Sequence, residues 1–113
     1  MHENYKEMNS KIMQDLSKMS VEMSDVMKGF HLLHQAATKE GVLSKKTKEL
    51  IALALGVASR CNGCIAFHMQ ALVQLGVKKE ELIEMLGVVI LMGGGPSVMY
   101  ATEALNAFDE LSK

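Results

Sequence analysis

Ser44 to Gly76 reads SKKTKELIALALGVASRCNGCIAFHMQALVQLG, and this stretch decides the fold. Ser44 is a residue type that caps helix N-termini through its side-chain oxygen. Lys45, Lys46 and Lys48 then fall in a first turn where the helix dipole disfavours cations. From Leu50 to Ala58 the chain is apolar all round. Such a helix is expected to be buried on nearly every side, which a small monomer supplies poorly and an oligomer supplies well. Arg60-Cys61-Asn62-Gly63 makes a turn, and a second helix runs to about Leu75 before Gly76 stops it as a C′ residue. The stretch is thus a helical hairpin with two cysteines at its bend.

Upstream, Ile12, Leu16, Met19, Met23, Val26, Phe30 and Leu33 are separated alternately by four and three residues. That spacing holds one apolar stripe on one helix face. A break near Ser20 would divide the stripe into two helices, with Ser20 capping the second and Glu22 in its first turn. Lys39 to Leu43 reads as a turn. Downstream, Lys79-Glu80-Glu81 opens a helix with well-placed carboxylates. The triple glycine Gly93-Gly94-Gly95 ends it, and Pro96 suits the first turn of the last helix. With no strand, linker or repeat in view, the expected fold is all-α: one domain over residues 1–113, about six helices, built to oligomerise. An N-terminal helical segment spans residues 5–38, and a core carrying the cysteines spans residues 44–111.

The chain has 113 residues, 49% of them hydrophobic and only 4% aromatic, so its core must come from Leu, Ile, Val, Ala and Met. Ten Met supply adaptable surfaces of the kind used between helices or subunits. The formal charge is −1, and no basic cluster exceeds Lys45-Lys46 or Lys78-Lys79. Nucleic acid is therefore not the expected partner, because phosphate binding needs a concentrated cationic face. Residues 1–7 lack the apolar core of a signal peptide, and His2 is expected in a disordered tip. Met85 to Ala101 is hydrophobic but is interrupted by Gly93 to Pro96, short of the ~20 apolar residues that cross a bilayer. The expectation is a cytoplasmic protein without membrane association. Two cysteines in a reducing compartment are more often catalytic or metal-binding than a structural staple.

His68 follows Cys64 by four residues, so the two share a helix face, with Cys61 one turn earlier. A helix beginning at Cys61 would place its dipole under both sulfurs and favour a thiolate, with Arg60 adding a cation nearby. In an antiparallel hairpin, Glu49 lies ~16 Å back from Arg60, while His68 lies ~10 Å beyond Cys61 and Cys64 only ~4–5 Å. Glu49 should then sit nearer the level of His68 than of either sulfur. The order Glu, His, Cys suits a proton relay. Zinc is a rival use of Cys61, Cys64, His68 and Glu49, but structural sites usually draw on a second knuckle and none is present. Two inert buried thiols are the bland alternative. His31 and His34 share a face at i and i+3 and are read as surface or interface residues with nothing to recruit them to a metal. Glu103 is read as half of a helix-surface or inter-subunit pair. The triple glycine lacks the Lys-Ser/Thr of a phosphate loop.

Glu49, eleven residues, Cys61-x-x-Cys64, three residues and His68 together resemble the E-x11-C-x2-C-x3-H signature of the alkylhydroperoxidase D-like branch of the carboxymuconolactone decarboxylase family. The flanking Lys45-Lys46-Thr47-Lys48-Glu49-Leu50-Ile51, Ile65-Ala66-Phe67-His68 and Tyr100 to Leu105 agree with it, and the resemblance covers roughly Gly41 to Leu111. It implies an all-helical fold assembling into trimers or hexamers. It also implies a thiol-dependent antioxidant oxidoreductase, of peroxidase or disulfide reductase type, acting on a small peroxide or a dithiol/disulfide partner. Its catalytic set would be Cys61, Cys64, His68 and Glu49, with no cofactor beyond the redox-active disulfide and no metal. In this reading Glu49 and His68 deprotonate Cys64, and Cys61 is its disulfide partner. One departure is Gly63, which stands where the founding type has a second histidine. The alternatives are a decarboxylase of cyclic lactone acids acting through His68, disfavoured by the C-x-x-C, and a non-enzymatic redox-sensing oligomer.

Overall fold

A computed structural model describes residues 4–113; His2 lies outside them. Among the described residues there are six helices and no strand: α1 Tyr5–Glu22, α2 Ser24–Thr38, α3 Lys45–Ala58, α4 Asn62–Gln74, α5 Lys79–Gly93 and α6 Gly95–Leu111. None is long and apolar enough to cross a membrane.

Local chemistry sets most of the boundaries. Asn4 caps α1 by accepting the Glu7 amide at 3.1 Å, and Ser44 caps α3 by accepting that of Thr47 at 3.1 Å. The cations at the start of α3 are each drawn to a partner: Lys45 donates to the Thr38 hydroxyl at 3.4 Å, Lys46 pairs with Glu81 of α5 at 2.8 Å, and Lys48 donates to the Lys39 carbonyl at 2.8 Å. Gly76, at φ +79°, closes α4 as expected of a C′ glycine. The triple glycine divides its work. Gly94 takes the left-handed φ of +69° that turns the chain, whereas a Cβ on Gly93 would collide with the Ser97 side chain. Pro96 lies in the first turn of α6, where its missing N–H is harmless.

The stripe in the first third breaks at Met23 (φ −138°, ψ 61°) rather than near Ser20. Ser20 does not cap, because its hydroxyl donates back to the Leu16 carbonyl at 2.9 Å inside α1. Asp25, not Glu22, provides the carboxylate in the first turn of α2.

The centre of the molecule is α4, which packs on α3, α6 and α1. Its Ile65, Ala66, Met69 and Leu72 are buried against Leu53 and Val57 of α3 and against Ala101, Ala104 and Ala107 of α6. Alanines three residues apart give α6 a small-residue face that admits a neighbouring helix closely. Leu82, Leu86 and Val89 of α5 complete this core. Tyr5 is wholly buried, and its hydroxyl donates to Glu103 of α6 at 2.5 Å, tying the start of α1 to the last helix. Glu103 is therefore paired within the chain.

The apolar helix α3 is not buried on every side. Leu53, Gly56 and Val57 are, but Ile51 and Leu55 remain 47% and 62% exposed. Helix α2 packs its backbone on α1 and α3, and its Val26, Phe30, Leu32 and Leu33 stay largely exposed.

Replacing Tyr5 with Phe removes the hydroxyl that donates to the Glu103 carboxylate. It should lower the unfolding free energy by about 1.5–3 kcal/mol, measured in urea, with an unchanged midpoint showing that the Glu103 contact is not structural.

Candidate functional site

The bend between α3 and α4 is built by the closing turn of α3. The Cys61 amide donates to the Gly56 carbonyl at 3.0 Å and the Arg60 amide to that of Val57 at 3.1 Å, the bond pair of a Schellman motif. Arg60 fills the C′ position at φ +57°, where glycine is the usual occupant. Its side chain is exposed. Cys61 finishes one helix and caps the next, since its sulfur accepts the Cys64 amide at 3.1 Å. Ending α3 thereby puts a sulfur at the positive end of α4.

The two cysteines form a disulfide, with Cα atoms 5.2 Å apart. Both are only partly buried, so a reactant can reach them. Beneath them the helices approach closely: a Cβ on Gly56 would lie 3.0 Å from the Cys64 Cβ.

Further from the bend, Glu49 of α3 is 1% exposed, and its Oε1 lies 2.7 Å from Nδ1 of His68 on α4. A buried carboxylate requires such a partner. With the carboxylate accepting, Nδ1 carries the ring hydrogen and Nε2 keeps its lone pair. His68 itself is mostly buried and lies one helical turn beyond Cys64. The hairpin thus brings Glu49 to His68, and its bend joins the two sulfurs.

His34 is part of this group, contrary to its reading as a surface or interface residue. Its ring stacks on that of His68 with centroids 6.2 Å apart, and it meets Phe67 edge-on at 5.7 Å. One ligand atom each from His34, Glu49 and His68 lies within 4.8 Å of the others. His31, one turn earlier, is exposed. A spacing of i and i+3 puts both imidazoles on one face, but only the docking of α2 on α3 decides which turns inward. No signal in the sequence marks it.

Two buried polar atoms of this region, His34 Nε2 and Asn62 Oδ1, have no hydrogen-bond partner. Each such atom costs about 1–3 kcal/mol in lost solvation, a cost tolerated more readily at working sites than elsewhere. The sulfurs are not free to hold zinc in the disulfide state, so the four-ligand arrangement of Cys61, Cys64, His68 and Glu49 is not the one assembled. A cleft of about 710 Å³ runs between α1, α2 and α4. Its lining includes Asn9, Met13, His34, Phe67 and Gln70 but neither cysteine, so it borders the site through His34.

Fold and site define an all-helical protein with a C-x-x-C disulfide at a helix N-terminus, backed by a buried carboxylate–imidazole pair. The chain matches the Carboxymuconolactone decarboxylase family over residues 24–107 and belongs to it. A crystal structure of a family member from Legionella pneumophila, without ligand, is 56% identical, with a TM-score of 0.94 over 96% of this chain and 97% of that one. A family member from Thermotoga maritima, for which involvement in an antioxidative response has been suggested, is 29% identical, with a TM-score of 0.81 over 90% and 87% of the two chains. An uncharacterized protein of Cupriavidus necator is 43% identical over 86 residues, 76% of each chain.

Gly56→Ala should force α4 away from α3 at Cys64 and cost about 1–3 kcal/mol, as overpacking does. Gly87→Ala, in the exposed interior of α5 with open space around it, should instead stabilise by about 0.5–1 kcal/mol. Thermal melts of the two variants would check both signs.

Proposed function

We propose that the protein is a thiol-dependent antioxidant oxidoreductase that cycles Cys61 and Cys64 between dithiol and disulfide. The observation that carries this reading is the 2.7 Å Glu49–His68 pair, one helical turn beyond a disulfide whose first sulfur takes an amide hydrogen of the α4 N-terminus. Family membership and the antioxidative suggestion for the Thermotoga maritima relative support it.

In the reduced protein, the Nε2 lone pair of His68 takes the Cys64 proton, and the Glu49 carboxylate stabilises the resulting imidazolium. The Cys64 thiolate attacks one oxygen of a hydroperoxide. The O–O bond breaks, an alcohol leaves with a proton, and Cys64 becomes a sulfenic acid. Cys61, its thiolate stabilised by the helix amide, attacks the Cys64 sulfur, and water leaves as the disulfide forms. Two thiols and one hydroperoxide thus become one disulfide, one alcohol and one water. A partner dithiol returns the two electrons and two protons. The same pair serves disulfide reduction when the first target is a partner's disulfide.

Turnover of a small alkyl hydroperoxide with a dithiol donor should vanish in Cys61→Ser and Cys64→Ser. In Glu49→Gln and His68→Gln it should fall by about 10²–10⁴-fold, with helix content unchanged by circular dichroism. Full activity in both serine variants would overturn the redox reading and leave proton chemistry at His68.

We also infer that the chain works as a homo-oligomer. Exposed Phe30 and Leu33 on α2, with Ile51 and Leu55 on α3, present more apolar surface than single exposed residues explain. Light scattering in solution should give a multiple of the 12.4 kDa chain mass, and replacing Phe30 and Leu33 together with Ser should reduce it. A wild-type mass of one chain overturns the inference.

A further inference from the structure

Three helices contribute ligand-type atoms to one point. His34 comes from α2, Glu49 from α3 and His68 from α4, with one nitrogen or carboxylate oxygen from each lying within 4.8 Å of the others. Glu49 is buried and the two imidazoles are partly so. His34 Nε2 is buried without a hydrogen-bond partner. Glu49 and His68 account for each other; His34 does not.

We propose that His34, Glu49 and His68 form a binding site for a divalent transition-metal ion of the zinc type. Two imidazoles and one carboxylate are a borderline donor set, suited to zinc and its first-row neighbours and poorly suited to magnesium or calcium, which prefer oxygen alone. The same composition, with a fourth position open, serves zinc in catalytic centres. Bonds of roughly 2.0–2.2 Å to a tetrahedral ion space its ligands about 3.4 Å apart. The three ligand atoms, all within 4.8 Å of one another, are already near that spacing, and the 2.7 Å Glu49–His68 contact opens to admit the ion. An ion bound through His34 Nε2 would satisfy a buried nitrogen that has no hydrogen-bond partner. Ring stacking against His68 and the edge of Phe67 already holds the His34 imidazole beside the other two ligands.

The consequence for activity rests on the proposed thiol chemistry: an ion held here occupies the two residues that move the proton, so zinc would inhibit turnover. Binding itself does not depend on that reading, because the disulfide state offers the ligands without either sulfur.

The test is equilibrium dialysis of the disulfide-form protein against micromolar Zn²⁺ at neutral pH with millimolar Mg²⁺ present. The expected result is one zinc per chain, weakened at least about tenfold by His34→Ala and unchanged by His31→Ala. In the unaltered protein, ring-nitrogen NMR signals of His34 and His68 should shift on zinc addition while those of His31 do not, a readout that stands even if a variant folds poorly. Less than half a zinc per chain, binding that survives His34→Ala, or binding that follows His31 instead would overturn the proposal. Zinc uptake by a protein without peroxide turnover would leave the site standing and remove only its inhibitory role.

Discussion

The distance between α3 and α4 is set by the missing side chain at Gly56, and the site depends on that distance. Where the two helices meet, the Cys64 Cβ is as close to α3 as packing allows. Glu49 lies two turns back along α3 from Gly56, ~10 Å, and His68 lies one turn on along α4 from Cys64, ~6 Å. Both therefore project on the same side of the bend, with a mismatch that one carboxylate and one imidazole can span. Their 2.7 Å contact follows from that register. It also makes a charge-bearing group tolerable at 1% exposure, because the carboxylate has a hydrogen-bonding partner. A larger residue at Gly56 would separate the helices and lengthen that contact together with the backing of Cys64.

The two sulfurs occupy different electrostatic settings. Cys61 is the N-cap of α4, where its sulfur accepts an amide hydrogen in line with the helix dipole. Cys64 lies inside the first turn, on the face it shares with His68. A helix terminus lowers the basicity of a thiolate permanently, which suits a sulfur that must leave or resolve. An adjacent imidazole removes a proton on demand, which suits a sulfur that must attack. Gly63 stands between the cysteines, and the second imidazole beside Glu49 and His68 comes instead from His34 on another helix.

The signals that proved readable were those acting within a few residues. Ser44, Gly76, Gly93 to Gly95 and Pro96 each end or begin a helix through their own backbone or side-chain chemistry, and the structure uses them so. The placement of Glu49 beside His68 was also legible, because an antiparallel hairpin converts residue counts into distances. Ser20 misled because a serine hydroxyl can cap a helix or bond back to its own turn, and local sequence does not say which. His34 was opaque for a different reason. Its role comes from the docking of α2 on α3, a contact between segments joined by an irregular connection whose length fixes no register.

That same docking explains why α2 matters beyond its size. Its backbone packs on α1 and α3 and it reaches α4 through the His34 ring, so in a single chain it is the least supported of the six helices, and its outer face is apolar. Few buried contacts mean a low free energy for local opening. Yet α2 carries the imidazole that completes the buried group around Glu49. A partner surface that covered Val26, Phe30 and Leu33 would also restrict the motion of His34, because a rigid helix transmits one constraint to both of its faces. Burial of the outer face and order at the site would then be one equilibrium. An association that removes apolar surface from water would at the same time hold His34 against His68.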